Sequence, residues 1–247
     1  MKGLFIIIII SVFSLFSYSQ NIFTLIENNE YDKVKEYTKS LNIYNSEHTT
    51  PLMRAIYKSD LKMVKLLVSK GADPKIKSFL KVGNYLSGSN FVLAAWTGKI
   101  DILKYLLKKK YFTVDECEYE YYNKEVKDGW NALHTAVYNN DTIIIRFLVK
   151  HGADINYVSE VDNNKTPLLN ALRYDKIEAA VELINMGADV NIRDEYYDST
   201  MYLALETKNR KLVKMIYKNG FIFTEKRKKR YLEIIKKMFN VESFEML

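Results

Sequence analysis

The triplet Gly71-Ala72-Asp73 recurs in this chain as Gly152-Ala153-Asp154 and again as Gly187-Ala188-Asp189. Each copy follows a run rich in leucine, isoleucine and valine, and the last two copies begin 35 residues apart. Self-similarity at a period of 20–50 residues is the signature of a protein built from stacked repeats. Such a solenoid is first of all an extended binding surface, so the repeat bears on function as well as on fold.

The repeat extends upstream of the triplet. Thr50-Pro51-Leu52 and Thr166-Pro167-Leu168 open two units, and Asn131-Ala132-Leu133-His134 stands at the corresponding place in a third. Each opening leads to an alanine that precedes the glycine of the triplet by 16 residues. Three more units fit the same frame less closely. The residues at the alanine position of the six units are Leu25, Ala55, Ala94, Ala136, Ala171 and Ala204.

These openings and triplets resemble the ankyrin repeat, a unit of about 33 residues whose pattern includes T-P-L-H-x-A. No copy is perfect, because Thr50-Pro51-Leu52-Met53-Arg54-Ala55 lacks the His and Leu133-His134-Thr135-Ala136 lacks the Thr-Pro. The resemblance implies an all-α ankyrin-repeat solenoid of stacked helix-turn-helix units with hairpin-like loops. We predict a single domain over residues 20–247, with about six repeats over 21–224 and an amphipathic C-terminal capping helix over 225–240.

The chemistry of each unit supports this assignment independently. Thr50 and Thr166 can cap a helix whose first residue is a proline, where the missing N–H is not needed. The glycine of the triplet is suited to the left-handed position that ends a helix. The aspartates of the triplet are interpreted as turn residues rather than as catalytic or metal-binding carboxylates.

The amino terminus has the pattern of a secretory signal peptide. Lys2 precedes an unbroken apolar run from Leu4 to Ile10, and Ser17-Tyr18-Ser19 is a small-x-small cleavage pattern. We therefore predict a signal peptide over 1–19 and export to the periplasm or beyond the cell. An uncleaved membrane anchor is the alternative.

The chain is basic, with a formal net charge of +7. Residues 225–247 hold seven Lys or Arg against four Glu. The basic C-terminal helix could associate weakly with an anionic envelope surface, or the lysines could simply solvate the stack. Export and the lack of a recognised motif argue against nucleic acid.

Nothing in the sequence favours catalysis. His48, His134 and His151 fall in different units without metal-ligand spacing, and no phosphate loop or nucleophile elbow is present. His134 occupies the His position of the repeat, where a structural hydrogen bond is expected. Cys117 is the sole cysteine, which excludes an intramolecular disulfide but leaves an intermolecular one open, and its acidic neighbours should raise the thiol pKa. We predict a protein that is not an enzyme and has no cofactor and no metal.

The resemblance also implies where a partner binds. In ankyrin proteins the positions two and three residues after the repeated alanine face a concave groove, and hairpin tips line its edge. Tyr and Trp are the residues most enriched at binding hot spots, together with Arg. We predict a partner-protein site whose groove residues are Tyr57, Trp96, Tyr138, Arg173 and Tyr174, and whose tip residues are Tyr157, Tyr196 and Tyr197. The alternative is that the aromatic residues pack on neighbouring hairpins.

Two units carry insertions, expected as loops near 78–89 and 114–127. The second is acidic and Tyr-rich, and could contact a basic partner or fold back over Lys108-Lys109-Lys110. The favoured function is an exported, monomeric protein-protein interaction module. The alternatives are an envelope-surface binder that uses the C-terminal helix, and an inhibitor or immunity-type protein for one enzyme.

Overall fold

The computed structural model describes residues 21–77, 80–82, 85–122, 125–194 and 199–246. Within these ranges the chain forms six antiparallel helix pairs followed by one longer helix. The predicted signal peptide, 1–19, lies outside the described residues. The helices are α1 (Ile22–Glu27), α2 (Tyr31–Glu36), α3 (Pro51–Tyr57), α4 (Leu61–Ser69), α5 (Asn90–Trp96), α6 (Ile100–Lys108), α7 (Ala132–Tyr138), α8 (Thr142–Lys150), α9 (Pro167–Arg173), α10 (Ile177–Asn185), α11 (Thr200–Glu206), α12 (Arg210–Lys218) and α13 (Glu225–Phe239).

A capping residue precedes the first helix of every unit, and its side-chain oxygen accepts a backbone N–H of the first turn. The predicted caps are confirmed, because Thr50 Oγ1 accepts the Met53 N–H at 3.2 Å and Thr166 Oγ1 accepts the Leu169 N–H at 3.3 Å. A proline occupies the first turn of each of these two helices. The remaining units use other side-chain oxygens for the same purpose, those of Asn21, Ser89, Asn131 and Ser199. Local sequence therefore sets where each unit begins.

The Gly-Ala-Asp triplets are turns, as predicted. Gly152 and Gly187 follow the second helix of their units with φ of 91° and 94°, a conformation in which a side chain would be strained. The Asp154 carboxylate accepts the N–H of Asn156 at 2.9 Å, and Asp73 and Asp189 make the same local bond. These carboxylates shape the turn and are not grouped as a site.

The units stack into one continuous apolar core. First helices of successive units contact one another along the whole stack. The repeated alanines Ala55, Ala94, Ala136, Ala171 and Ala204 are completely buried. A larger side chain at these positions would force the helices apart, which explains the small residue.

A ladder of side-chain oxygens links the turns of neighbouring units. In four places an Asn or Asp oxygen accepts a backbone N–H of the following unit at 2.8–3.1 Å. The pairs are Asn42 with Asp73, Asp115 with Asp154, Asn156 with Asp189 and Asn191 with Ile222. Each bond satisfies a backbone donor at the unit boundary, so the ladder fixes the register of the stack.

Both insertions form antiparallel hairpins, which agrees with the predicted hairpin-like loops and adds paired strands that a plain loop would lack. The first forms a hairpin of β1 (Leu80–Val82) and β2 (Tyr85–Ser87), and the second a hairpin of β3 (Cys117–Tyr122) and β4 (Glu125–Asn131). The second insertion alternates Glu and Tyr, a two-residue period that favours a strand. Cys117 is buried at the start of β3, which removes its thiol from reach of a second chain.

Among the described residues, the second hairpin leaves the lysine run of unit three uncovered. Strand β4 packs instead against α7 and against a 3₁₀ turn, Glu160–Asp162, in the loop of unit four. Lys108, Lys109 and Lys110 are exposed. The hairpin therefore packs against unit four.

The C-terminal capping helix is confirmed, with Tyr231 and Ile235 buried and Asn240 as a left-handed cap. Beyond it the chain turns back on unit six, where the Phe244 ring stacks on Tyr217 with centroids 5.1 Å apart. The Tyr217 hydroxyl also donates to the Glu245 carboxylate at 2.6 Å, which lowers the pKa of Glu245 to about 2. None of the helices that the structure describes has the length and apolar character needed to cross a bilayer.

Candidate functional site

Three of the predicted groove residues form a continuous strip of rings. Trp96 stacks on Tyr138 with centroids 6.0 Å apart and planes inclined by 23°. Tyr138 in turn meets Tyr174 edge-on at 5.5 Å. All three side chains are half-buried, and each comes from the end of the first helix of its unit. We call these residues, Trp96, Tyr138 and Tyr174, the aromatic strip; it crosses units three to five.

Trp130, near the end of β4, packs against two rings of the aromatic strip. Its ring lies 5.5 Å from Tyr138 and 6.3 Å from Tyr174, and it is buried. The alternative interpretation is therefore partly correct, since two rings of the strip pack on a neighbouring hairpin. Sequence reasoning missed Trp130 because it belongs to an insertion outside the repeat frame. Its position directly before the helix cap Asn131 was the available signal.

A buried polar network anchors Trp130. Its indole N–H donates to Asp162 Oδ2 at 3.0 Å, and Lys165 Nζ donates to Asp162 Oδ1 at 2.9 Å. The side chains of this ion pair are only 8% and 7% exposed. Because buried charges are stable only when they are paired and hydrogen-bonded, the three residues hold the second hairpin in one position relative to unit four.

His134 lies beneath Trp130, with ring centroids 6.0 Å apart. Its Nε2 is 3.2 Å from the Lys165 carbonyl oxygen and its Nδ1 is 2.9 Å from Asn131 Oδ1. Burial lowers the pKa of His134 to about 4, against the opposing effects of the Lys165 carbonyl and the Asp162 carboxylate. The ring is neutral at pH 7 and is enclosed by the fold, which confirms the structural role predicted for it.

The other predicted residues fall into three groups. Tyr57, in unit two, is 55% exposed and lies beneath the Arg54 guanidinium, 5.9 Å from the ring centroid. Tyr157 meets His134 edge-on at 5.9 Å and so belongs to the edge of the Trp130 cluster. Tyr196 and Tyr197 lie outside the described residues.

Arg173 precedes Tyr174 and is partly committed to an ion pair. Its guanidinium is 3.6 Å from the Asp194 carboxylate, whose side chain is completely buried. One turn earlier on the same helix face, the buried Asn170 amide has no hydrogen-bond partner within the described part of the chain. An unpaired buried amide is destabilising by about 1–3 kcal/mol, and such exceptions deserve a functional explanation.

The described ranges of the chain contain no group of three His, Cys, Asp or Glu side chains that could hold an ion.

The fold defines a solenoid of stacked helix pairs. A sequence profile for ankyrin repeats in three copies matches residues 91–194, and a profile for the single ankyrin repeat matches residues 47–79. Together the matches span more than half of the 247 residues. The chain belongs to the ankyrin-repeat family.

Similar proteins are found among toxins and bacterial proteins. Alpha-latrotoxin-Lg1a of Latrodectus geometricus is 31% identical over 150 residues, which are 61% of this chain and 10% of the toxin. A putative ankyrin repeat protein of Rickettsia felis is 27% identical over 184 residues, 74% of this chain and 42% of that protein. The chain thus spans less than half the length of either relative.

Among solved structures, the ankyrin repeat domain of Bcl-3, described as a unique member of the IkappaB protein family, matches with a TM-score of 0.66. The match covers 83% of this chain and 87% of that domain at 22% sequence identity, and it shows a common fold. Ankyrin repeats in general mediate protein-protein interaction, and the fold is typically a non-catalytic module.

Proposed function

We propose that this chain is a non-catalytic module that captures one protein partner on its concave face, with the aromatic strip as the anchor of the interface. The observation that carries the proposal is the contiguity of Trp96, Tyr138 and Tyr174 across three units. Partly exposed aromatic rings that are already ordered lose little conformational freedom on binding, and Trp and Tyr dominate binding hot spots.

The strip is also held rigid by its surroundings. Asn139, beside Tyr138, donates from Nδ2 to the Trp96 carbonyl oxygen at 2.9 Å and so ties unit four to unit three. Lys176 places its ammonium over the Tyr138 ring, 5.4 Å from the centroid. A preorganised surface of this kind favours affinity because binding requires little reordering.

The proposed location of the protein is the periplasm or the extracellular medium. The support is the apolar run and small-residue pattern of residues 1–19. Fractionation of the source cells followed by N-terminal sequencing tests this directly. A mature chain that begins near Gln20 is expected, whereas a membrane-bound chain that retains Met1 would favour an anchor.

Partner capture tests the binding function. Both tryptophans of the chain, Trp96 and Trp130, belong to the site, so binding of a tryptophan-free partner there should shift the intrinsic fluorescence. Affinity capture from envelope material would use the wild-type chain, Trp96→Leu and Tyr57→Ala. We expect Trp96→Leu to weaken capture at least tenfold, since loss of a hot-spot aromatic costs about 2 kcal/mol or more.

The matched control is Ile143→Ala on the outer helix α8, where Ile143 is 63% exposed. Equal loss of capture for Ile143→Ala and Trp96→Leu would overturn the proposed location of the site. Alanine at Tyr138 is a poor test, because its ring contacts Trp96, Trp130 and Tyr174 and its loss lowers stability as well.

The identity of the captured protein separates the remaining functions. If the partner is an enzyme whose activity the chain suppresses, the protein is of the inhibitor or immunity type. Light scattering of the free chain tests the proposed monomeric state.

A further inference from the structure

The net charge of the chain is concentrated at one end of the solenoid. Residues 206–247 contain twelve Lys or Arg and five Glu, a net charge of +7. The formal net charge of the whole chain is also +7, so the preceding residues are neutral overall. The charge asymmetry begins in unit six, before the C-terminal helix.

The structure brings these cations to one place. They lie around α12 and on α13, and the C-terminal turn ties these elements together through Arg210, which donates to the Met246 carbonyl oxygen at 2.8 Å. Helix α13 follows α12 as the last helix and is about 22 Å long at 1.5 Å per residue, so α12 and α13 form the C-terminal end face of the stack. We call this face, formed by residues 206–246, the basic pole.

Most of this charge is not neutralised within the chain. Lys236 pairs with Glu242 at 2.6 Å, and Glu245 is held by the Tyr217 hydroxyl. Six cations are exposed, and their side-chain nitrogens form no hydrogen bond or ion pair among the described residues: Lys208, Lys211, Lys218, Lys229, Arg230 and Lys237. Clustered like charges raise the electrostatic potential and attract a polyanionic surface.

Apolar side chains are exposed beside the cations. Ile222, just before α13, is 71% exposed, and Met246, in the C-terminal turn, is 54% exposed. The apolar face of α13 itself is not free, because Tyr231 is buried against Phe221 and its hydroxyl lies 3.0 Å from Ser199 Oγ. The helix therefore cannot lie in a bilayer on its apolar side.

We propose that the basic pole is a second binding site, independent of the concave face, which docks the protein on anionic phospholipid headgroups. Nine of the twelve cations are lysines. Lysine is a flexible, strongly hydrated point charge that suits a fluid layer of headgroups better than a rigid bidentate contact. Basic residues with adjacent exposed apolar side chains are typical of proteins that bind the membrane surface without crossing it.

Vesicle flotation of the full chain tests this proposal. Vesicles of phosphatidylcholine alone would be compared with vesicles that contain about one third phosphatidylglycerol. Binding to the neutral vesicles reports any contribution of the apolar amino terminus. We expect the additional binding to anionic vesicles to fall at least tenfold when salt is raised from about 0.1 to 0.5 M, because screening shortens the range of the attraction.

The test variant is Lys229→Gln/Arg230→Gln/Lys237→Gln, whose side chains are exposed, with an unchanged thermal melt as the check on folding. At about 1 kcal/mol per cation near an anionic surface, it should bind anionic vesicles about a hundredfold more weakly. The matched control removes the same number of charges from unit three, as Lys108→Gln/Lys109→Gln/Lys110→Gln, and should change binding less than threefold.

Equal losses for the two triple variants would overturn the proposal, because they would assign binding to net charge rather than to the pole. Tighter binding to a short DNA duplex than to anionic vesicles at the same salt would also overturn it, in favour of nucleic acid. Partner capture on the concave face should be unaffected by the test variant, which keeps the two sites distinguishable.

Discussion

Trp130 is the residue at which the second hairpin, the aromatic strip and the buried ion pair meet. Replacing it with phenylalanine keeps an aromatic ring in the cluster and removes one specific interaction, the indole N–H that donates to Asp162 Oδ2 at 3.0 Å. The Asp162 carboxylate then keeps Lys165 as its partner but loses a donor inside a site closed to solvent.

The expected loss follows from these contacts. A hydrogen bond to a charged group contributes about 1.5–3 kcal/mol, and a buried acceptor left short of a donor lies toward the upper end of that range. We expect Trp130→Phe to lower the free energy of unfolding by about 2–3 kcal/mol. Trp130→Ala also removes the packing against Tyr138 and Tyr174, and should cost about 3–5 kcal/mol.

Urea denaturation followed by circular dichroism is the suitable assay, since the substitution itself changes the fluorescence. Comparing Trp130→Phe, Asp162→Asn and the double variant isolates the coupling between the two side chains. A loss below about 0.5 kcal/mol for Trp130→Phe, or a coupling near zero, would show that the bond does not hold the hairpin and that the argument is wrong.

Three further predictions concern stability. The pKa of His134 is about 4 in the fold and near 6.5 in the unfolded chain. The contribution of the neutral His134 ring to the free energy of unfolding is therefore fully present above pH 6.5 and is lost as the pH falls toward 4. Urea titrations should show a fall of about 2 kcal/mol from pH 7 to pH 5, absent in His134→Gln, whereas a flat wild-type profile would mean that the flanking oxygens retain the proton. Gly187→Ala should cost about 1 kcal/mol by thermal melting, because φ is +94° while no atom lies within 4 Å of the added Cβ; a neutral result would argue against the left-handed turn. Deletion of residues 241–247 removes the buried Phe244 ring and should lower the free energy of unfolding in urea by about 3 kcal/mol or more. An unchanged urea midpoint would show that the packing of Phe244 on unit six does not stabilise the fold.

The helices, their caps and the turns between units could be predicted because they depend on neighbours in sequence. Thr50 accepts the N–H of Met53, three residues on, and Asp154 accepts the N–H of Asn156, two residues on. Gly152 ends the helix that directly precedes it. Interactions of such short range leave a pattern in the chain, and the repeat multiplies it. The order of the units in the stack then follows from their order in the chain.

The candidate site was predicted less completely. The phase of the repeat predicted one row of Tyr57, Trp96, Tyr138 and Tyr174, and the last three of these rings contact one another. It did not predict that their rings would touch one another, or that Trp130 would cover two of them. Trp130 and Asp162 are 32 residues apart, and both lie in segments that depart from the repeat.

The C-terminal end of the chain shows the same division. The amphipathic pattern predicted α13 and its buried Tyr231, because a helix repeats every 3.6 residues. The return of Phe244 onto Tyr217 has no periodic signal, since a short 3₁₀ turn packs on a surface that unit six presents. The concentration of +7 within residues 206–247 could be counted from the sequence, but its gathering on one end face depends on that packing.

By itself, the sequence determined the repeat unit and the positions of the Gly-Ala-Asp turns, since these depend on backbone preferences within a few residues. Only the tertiary structure decided which side chains meet across units. The Trp130–Asp162–Lys165 network, the aromatic strip and the ladder of side-chain oxygens each join residues that lie about a repeat apart. The Gly-Ala-Asp triplets therefore specify a scaffold, and the surface that binds a partner arises when the stacking of that scaffold brings distant rings and charges together.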